Sequence, residues 1–175
     1  MSLIRKSMWV LFGILVIFGW VLGSAIQAGA ETWNFKFYTW VIKGETFPIA
    51  DVEGHSVGFM QRGAFRVFEN GEVATATAVV TGDFIKGAGP FMQYVTLTFG
   101  DGSTMIIKSK GTAGVPAAGA PTAGGWTSEI IKGTGRFEGI KGTDSAKAKY
   151  FPVEKGEAGP KGYGEGTVTF TVPSK

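Results

Sequence analysis

The sequence predicts an all-β domain, an antiparallel barrel of eight or nine strands, preceded by one N-terminal hydrophobic helix. Three observations lead to this fold class. Short segments alternate apolar and polar residues, which is the period of a half-buried strand. Asn-Gly and Asp-Gly pairs separate such segments, as turns do. The 175 residues include 28 glycines yet are 44% hydrophobic, which indicates a folded β-protein with tight turns.

The chain begins with the features of a secretory or membrane segment. Arg5 and Lys6 precede an unbroken apolar or glycine run from Met8 to Leu22, and small residues follow at Ala28-Gly29-Ala30. This basic, apolar and small-residue order is typical of a signal peptide. By the positive-inside rule, the residues after position 30 are exported. We therefore divide the chain into residues 1–30 and a barrel domain of residues 31–175.

The same segment fits a retained transmembrane anchor. Residues 8–30 would span about 34 Å as a helix, enough to cross a bilayer core. Gly19 and Gly23 have the small-xxx-small spacing that lets two membrane helices approach closely. Retention predicts an inner-membrane protein with a periplasmic domain, whereas cleavage predicts a periplasmic or secreted protein.

The first predicted strand carries aromatic residues on both faces. Trp33, Phe35 and Phe37 share one face, and Tyr38 and Trp40 lie on the other. One face of a barrel strand packs in the core, so aromatic residues on the second face indicate contact with a membrane surface or a partner. Tyr38 and Trp40 are therefore candidates for an interaction surface, with packing along the barrel edge as the alternative.

Later segments repeat the hairpin pattern. Residues 57–68 form two short extended stretches with a break near Arg62-Gly63, and Asn70-Gly71 then leads into Val73–Val79. Both residues of the Asn-Gly turn are expected to have positive φ. Further strands are predicted at Phe91–Phe99, Thr104–Lys110, Trp126–Lys132, Ser145–Phe151 and Thr167–Val172.

Glycines inside the later strands favour a barrel over a sandwich. Gly133, Gly135, Gly139 and Gly142 fall where strands would bend at barrel corners. Closure also removes exposed strand edges. The segment from Gly111 to Gly125, rich in Gly and Ala, is predicted to be a long loop, either a surface loop or a lid over the barrel mouth.

Composition excludes several functions. The chain has no cysteine, which excludes disulfides, thiolate metal sites and cysteine nucleophiles. The net charge is +3, but without Arg5 and Lys6 it is +1, and the charges are dispersed rather than clustered in a basic stripe. Nucleic-acid binding is therefore not expected. We also expect no cofactor and no metal, since His55 is the single histidine and no carboxylates cluster with it.

Four residues are candidates for polar groups in a pocket: His55, Arg62, Arg66 and Glu129. The last three lie on or beside predicted strands, and a charge that points into a barrel must be paired and becomes a site candidate. The alternative is a solvated charge on the outer face, because a register slip of one residue reverses the face. No catalytic residue can be assigned from the sequence, so enzymatic activity is undecided and the balance favours a protein that is not an enzyme.

The stretch Lys132-Gly133-Thr134-Gly135-Arg136-Phe137-Glu138-Gly139-Ile140-Lys141-Gly142 resembles the GTGxFxGxxG segment of allene oxide cyclase-like and dirigent-like β-barrels. Residues 98–103 and 166–170 are similar to bacterial members. The resemblance covers roughly residues 33–172 and implies an eight-stranded barrel with a mostly apolar interior. Family members steer the cyclisation or coupling of reactive hydrophobic molecules. The plant cyclases use a pocket cysteine that this chain lacks, so no catalytic residue is carried over.

Two functions follow. The first is a membrane-anchored accessory subunit whose periplasmic barrel docks on a larger integral membrane protein complex. It accounts for the two-faced aromatic strand and for the absence of a recognisable catalytic set. The alternative is a soluble periplasmic or secreted barrel that binds a hydrophobic small molecule, with cyclase or isomerase activity as one form of it. This alternative predicts an apolar cavity with a few convergent polar groups.

Overall fold

A computed structural model describes residues 29–114 and 122–174, and its barrel forms one compact unit from Ala30 to Pro173. The N-terminal hydrophobic segment, with Gly19 and Gly23, lies outside the described residues. Within the described ranges, no helix is long and apolar enough to cross a membrane. The strands are β1 (Glu31–Pro48), β2 (His55–Phe68), β3 (Val73–Ile85), β4 (Gly89–Phe99), β5 (Thr104–Ala113), β6 (Thr122–Thr134), β7 (Lys141–Tyr150) and β8 (Gly162–Thr171).

These eight strands form a closed antiparallel barrel in sequence order, with β8 pairing back onto β1. The predicted all-β barrel is confirmed, with eight strands in the described part of the chain. The predicted break near Arg62-Gly63 is wrong, because β2 is continuous there. The irregularity lies on the neighbouring strand, where the β1–β2 register shifts between Val41 and Lys43. Trp40 covers Gly63, and a Cβ there would lie 2.5 Å from the indole ring.

The two predicted turns close hairpins, but with three residues rather than two. The Gly71 N–H donates to the Phe68 carbonyl at 3.0 Å, and Gly102 bonds in the same way to Phe99 at 3.0 Å. Gly71 has a φ of 87° and Gly102 a φ of 81°, whereas Asn70 does not have a positive φ. The expectation of positive φ at both residues was therefore wrong. A type I turn followed by a left-handed glycine gives this loop.

Strand alternation separates an apolar interior from the outer wall. On β1, Phe35 and Phe37 are buried while Tyr38 is exposed, as the sequence predicted. Trp33 packs against the core from the same side. The rings of Phe68, Phe99, Phe137 and Phe170 surround Trp33 with centroids 4.9–6.4 Å away. We call this aromatic-filled end, where β1 starts, the closed end.

The glycine-rich stretch between β6 and β7 turns the chain at the closed end. Gly135 and Gly139 have φ values of 64° and 74°, which favour glycine. Between them a short 3-10 turn, Gly135–Phe137, places the Phe137 ring in the core. Gly133 and Gly142 lie inside strands as predicted, whereas Gly135 and Gly139 lie in the connection between β6 and β7. At the other end, the predicted loop from Gly111 to Gly125 is shorter than expected, since β5 and β6 pair as far as Ala113 and Gly124. Residues 115–121 lie outside the described part.

A column of three glycines lines the inner face of β8. Gly162, Gly164 and Gly166 leave space that three rings from neighbouring strands fill: Tyr150 over Gly162, Phe37 over Gly164 and Phe35 over Gly166. A Cβ at any of the three would lie 2.5–2.6 Å from the ring that covers it. Aromatic side chains of β1 and β7 therefore fill the space next to β8, where β8 itself has only glycine.

Candidate binding site at the barrel mouth

A buried ion pair crosses the middle of the barrel. Arg66 on β2 donates from Nη1 to Asp144 Oδ2 on β7 at 2.6 Å, with side chains 5% and 0% exposed. Ser128 Oγ lies 2.9 Å from Asp144 Oδ1 and 2.9 Å from Ser109 Oγ. Because a hydroxyl has one proton, Ser128 donates to the carboxylate and accepts from Ser109. The carboxylate is thus paired and hydrogen-bonded, as a buried charge must be.

Arg62 lies four residues before Arg66 on β2, toward the opposite end of the barrel, which we call the mouth. It is 7% exposed. Its Nε donates to Thr39 Oγ1 at 3.2 Å and its Nη2 to the Pro160 carbonyl at 2.9 Å. Thr39 in turn donates to the Gly63 carbonyl at 2.9 Å. Unlike Arg66, Arg62 therefore has neutral oxygen partners, and burial lowers its pKa from the ordinary arginine value.

Both arginines line one cavity of about 40 Å³. Its polar lining comes from Thr39, Arg62, Arg66, Gln93 and Tyr150. The apolar lining consists of Phe37, Ala64, Ala76, Ala78, Val95 and Trp126. The volume holds a small polar group or ordered water, and it is far below the roughly 300–1,000 Å³ of pockets that enclose a whole drug-sized ligand. It thus has room for the polar end of a ligand.

Trp126 contributes a buried donor without an acceptor. Its side chain is 9% exposed, and Nε1 has no hydrogen-bond partner among the described residues. The indole ring is held by Phe37 and Phe91, with centroids 5.6 Å and 6.2 Å away. An unsatisfied buried donor costs about 1–3 kcal/mol. A ligand atom that accepts this hydrogen bond would recover that free energy.

Tyr150 closes the lining on the β7 side. The Arg62 guanidinium lies over its ring, 5.1 Å from the centroid. Burial raises the pKa of the Tyr150 phenol, so the residue stays neutral near pH 7. Arginine and tryptophan are donors only, and a neutral tyrosine is a weak acid. The arrangement therefore suits binding of an acceptor group.

The structure separates the four predicted pocket residues. Arg62 and Arg66 point into the barrel, so their interpretation as solvated outer charges was wrong. Glu129 was also a candidate, but it is exposed on the outer wall because the inward positions of β6 are Trp126, Ser128 and Ile130. His55 lies at the first residue of β2, at the rim of the mouth and outside the cavity lining.

At that rim, His55 connects the β1–β2 loop to strand β3. Its Nδ1 lies 2.5 Å from Asp51 Oδ1, and its Nε2 lies 2.7 Å from Asp83 Oδ1. Hydrogen bonds to Asp51 and then to Asp83 raise the pKa of His55, and the bond to His55 lowers the pKa of Asp51. In residues 29–114 and 122–174, no group of three or more histidine, aspartate or glutamate side chains is arranged to hold a metal ion.

Tyr38 and Trp40 face outward, as the sequence predicted, and meet Phe65 of β2. The Tyr38 and Phe65 rings stack with centroids 6.3 Å apart, and Trp40 lies 5.5 Å from Phe65. We call these three residues the outer aromatic cluster. Tyr38 and Phe65 are 37% and 44% exposed. Trp40 is less exposed because it packs over Gly63.

Sequence reasoning missed Asp144, Trp126, Tyr150 and Gln93 as members of the interior site. Asp144 lies just before the predicted strand Ser145–Phe151, and Trp126 was predicted only as the first residue of a strand. A signal did exist for Asp144. It occupies the same alternating face as Ala146 and Ala148, which would mark it as inward once β7 is extended back to Lys141.

The closed eight-stranded barrel is a fold that is also found in a solved structure. The pterocarpan synthase dirigent protein PsPTS1 is 16% identical, with a TM-score of 0.50, over 86% of this chain and 100% of that one. The corresponding protein GePTS1 is 17% identical, with a TM-score of 0.49, over 83% of this chain and 90% of that one. No protein-family model matches the sequence, and no curated protein does. The chain has a dirigent-like eight-stranded barrel fold.

Proposed function

We propose that the barrel binds a small hydrophobic molecule at its mouth, with the polar end of that molecule in the cavity beside Arg62. The aromatic rings of the lining, Phe37, Trp126 and Tyr150, suit an aromatic or aliphatic body. A few polar groups that converge in a mostly apolar site are typical of ligand pockets. The proposal assigns no catalytic residue.

The Trp126 indole N–H is the observation that carries this proposal. Buried donors are nearly always paired in folded proteins, and an unpaired one needs an explanation. Here the donor belongs to a residue that lines a cavity, and a buried arginine lines the same cavity. A ligand with an acceptor atom explains both. A structural role would place an internal acceptor against Nε1, as Thr39 is placed against Arg62.

Nuclear magnetic resonance of the indole N–H signals tests the proposal on the full-length chain in a non-ionic detergent. Trp126→Phe identifies the Trp126 signal by its loss. We expect small aromatic and aliphatic compounds to shift this signal, and to leave the signal of Trp33 at the closed end unchanged. If no compound in such a series shifts the Trp126 signal at millimolar concentration, mouth binding is wrong.

A second candidate function is that of an anchored accessory subunit, and the outer aromatic cluster supports it. We propose in this case that residues 1–30 stay attached as an anchor, and that residues 31–175 form an exported, periplasmic domain of a bacterial protein. The barrel would then dock on an integral membrane protein complex. Tyr38 and Phe65 present stacked rings on the outer wall, and exposed aromatic residues are enriched at protein interfaces.

Membrane fractionation followed by purification in mild detergent tests this second function. We expect the intact chain in the membrane fraction, together with other membrane proteins. The double variant Tyr38→Ser/Phe65→Ser should lose them. Tyr94→Ser is the matched control, since Tyr94 is 41% exposed on the outer wall at β4. Equal loss in the control variant would show that the outer aromatic cluster is not the docking surface.

A further inference from the structure

We propose that the ligand at the mouth carries a carboxylate, which binds between Arg62 and the indole N–H of Trp126. The inference rests on the proposed function, because it specifies the chemistry of the molecule that the mouth binds. It goes beyond that function by assigning a charge to the ligand and a charge-recognising role to Arg62.

The first argument is the charge balance of the interior. The buried charged side chains in the described residues are Arg62, Arg66 and Asp144. Asp144 pairs with Arg66, which leaves one positive charge at Arg62. A buried charge is normally paired, because its removal from water costs several kcal/mol. The barrel therefore carries an uncompensated cation in its interior.

No acidic side chain in the described part of the chain supplies the missing anion. All 14 acidic side chains lie between Glu31 and Glu165, within the described ranges. None of them forms an ion pair with Arg62, whereas Asp144 and several surface carboxylates pair with other cations. The segments 1–28 and 115–121 contain no aspartate or glutamate. Within residues 29–114 and 122–174, therefore, no carboxylate side chain is the counter-charge of Arg62.

The second argument is the count of donors. A guanidinium has five N–H groups. In the described structure two of the Arg62 nitrogens, Nε and Nη2, donate to neutral oxygens of Thr39 and Pro160. The Trp126 Nε1–H is buried and remains without a protein acceptor among the described residues. A carboxylate offers two oxygens and about four acceptor sites, enough for both side chains.

The third argument concerns the kind of anion. One uncompensated positive charge matches a monoanion, and planar carboxylates pair closely with guanidinium groups. A phosphate dianion would exceed the charge of the site. The cavity of about 40 Å³ has room for a carboxylate. The ligand body would contact the Tyr150 and Trp126 rings, so an aryl or alkyl carboxylate fits the lining better than a hydrophilic acid does.

Three matched pairs of ligands test the inference: benzoate with benzamide, 2-naphthoate with 2-naphthamide, and decanoate with decanamide. Each pair shares its body and differs in charge. The probe is the indole N–H signal of Trp126 in the full-length chain at pH 7. We expect the acid of at least one pair to bind tenfold or more tightly than its amide, with the shift concentrated at Trp126 rather than Trp33.

Two variants and one control assign the preference to Arg62. Arg62→Met removes the charge at similar length and should abolish the preference for the acid, whereas Arg62→Lys should retain a preference. Lys110→Met removes the same charge from the exposed outer wall and should change nothing. Backbone amide nuclear magnetic resonance spectra of each variant show whether the barrel is folded. If Arg62→Met does not fold, the test is made on Arg62→Lys.

The outcomes separate the two proposals. If amides and acids shift Trp126 with equal affinity, the mouth binds small molecules and the carboxylate inference is overturned. Retention of the full acid preference in a folded Arg62→Met protein would overturn it as well. If neither acids nor amides reach Trp126, the proposed mouth function fails, and the inference fails with it.

Discussion

Removal of the negative charge from the buried ion pair should strongly destabilise the barrel. Asp144→Asn keeps the shape of the side chain but removes its charge. Arg66, whose side chain is 5% exposed, then becomes an unpaired buried cation. Breaking a buried pair by loss of one partner costs about 3–5 kcal/mol. For a domain near 150 residues, each kcal/mol lowers the Tm by roughly 2–4 °C. We therefore expect a loss of about 10 °C.

The companion variant removes both charges. Arg66→Met/Asp144→Leu replaces the pair with apolar groups, and such replacements are often neutral or stabilising. We expect the double variant to lie within about 1 kcal/mol of the parent, far less than the sum of the single losses. Met at position 66 also keeps an apolar chain over the Phe35 ring, which the guanidinium now covers at 4.2 Å.

Urea denaturation, followed by tryptophan fluorescence and circular dichroism, measures these free energies of unfolding. The two probes should give coincident transitions, which justifies a two-state treatment. A cost below about 1 kcal/mol for Asp144→Asn would refute the argument, because it would mean that water reaches Arg66. A double variant as unstable as the sum of the two single variants would refute it too.

Two further predictions concern the rim and the closed end. The raised pKa of His55 means that its protonated form stabilises the fold below about pH 6.5, and this contribution is lost as pH rises through the raised value. Nuclear magnetic resonance of the ring proton should show a midpoint above 6.5 that falls in Asp51→Asn and Asp83→Asn; an unchanged midpoint in both variants would contradict the bridge. Gly135→Ala should destabilise more than Gly102→Ala, as measured by Tm, because both have positive φ but only a Cβ at Gly135 would meet Ser103 Oγ, at 2.4 Å. Equal losses would show that backbone strain alone decides the effect.

The alternation of residues within each strand could be predicted from the sequence, whereas the register between paired strands could not. Alternation placed Phe35 and Phe37 inside and Tyr38 outside, because the strand period depends only on the backbone. The directions of Arg62 and Glu129 needed the register of each strand, which a shift of one residue reverses. The alternation on β7 could mark Asp144 as inward, but its partner Arg66 lies 78 residues away. Long-range partners of this kind are not encoded in any short pattern.

Because β8 has glycines at three inward positions, the size of the cavity at the mouth depends on a side chain from β1. Because the wall at Gly164 has no side chain, the space there is occupied by the Phe37 ring, which also lines the cavity at the mouth. Shortening that one side chain would enlarge the cavity without breaking a hydrogen bond of the sheet. Such a truncation costs about 3–5 kcal/mol, within the stability reserve of many domains. Single substitutions on β1 would thus enlarge the cavity while the backbone wall of β8 stays the same.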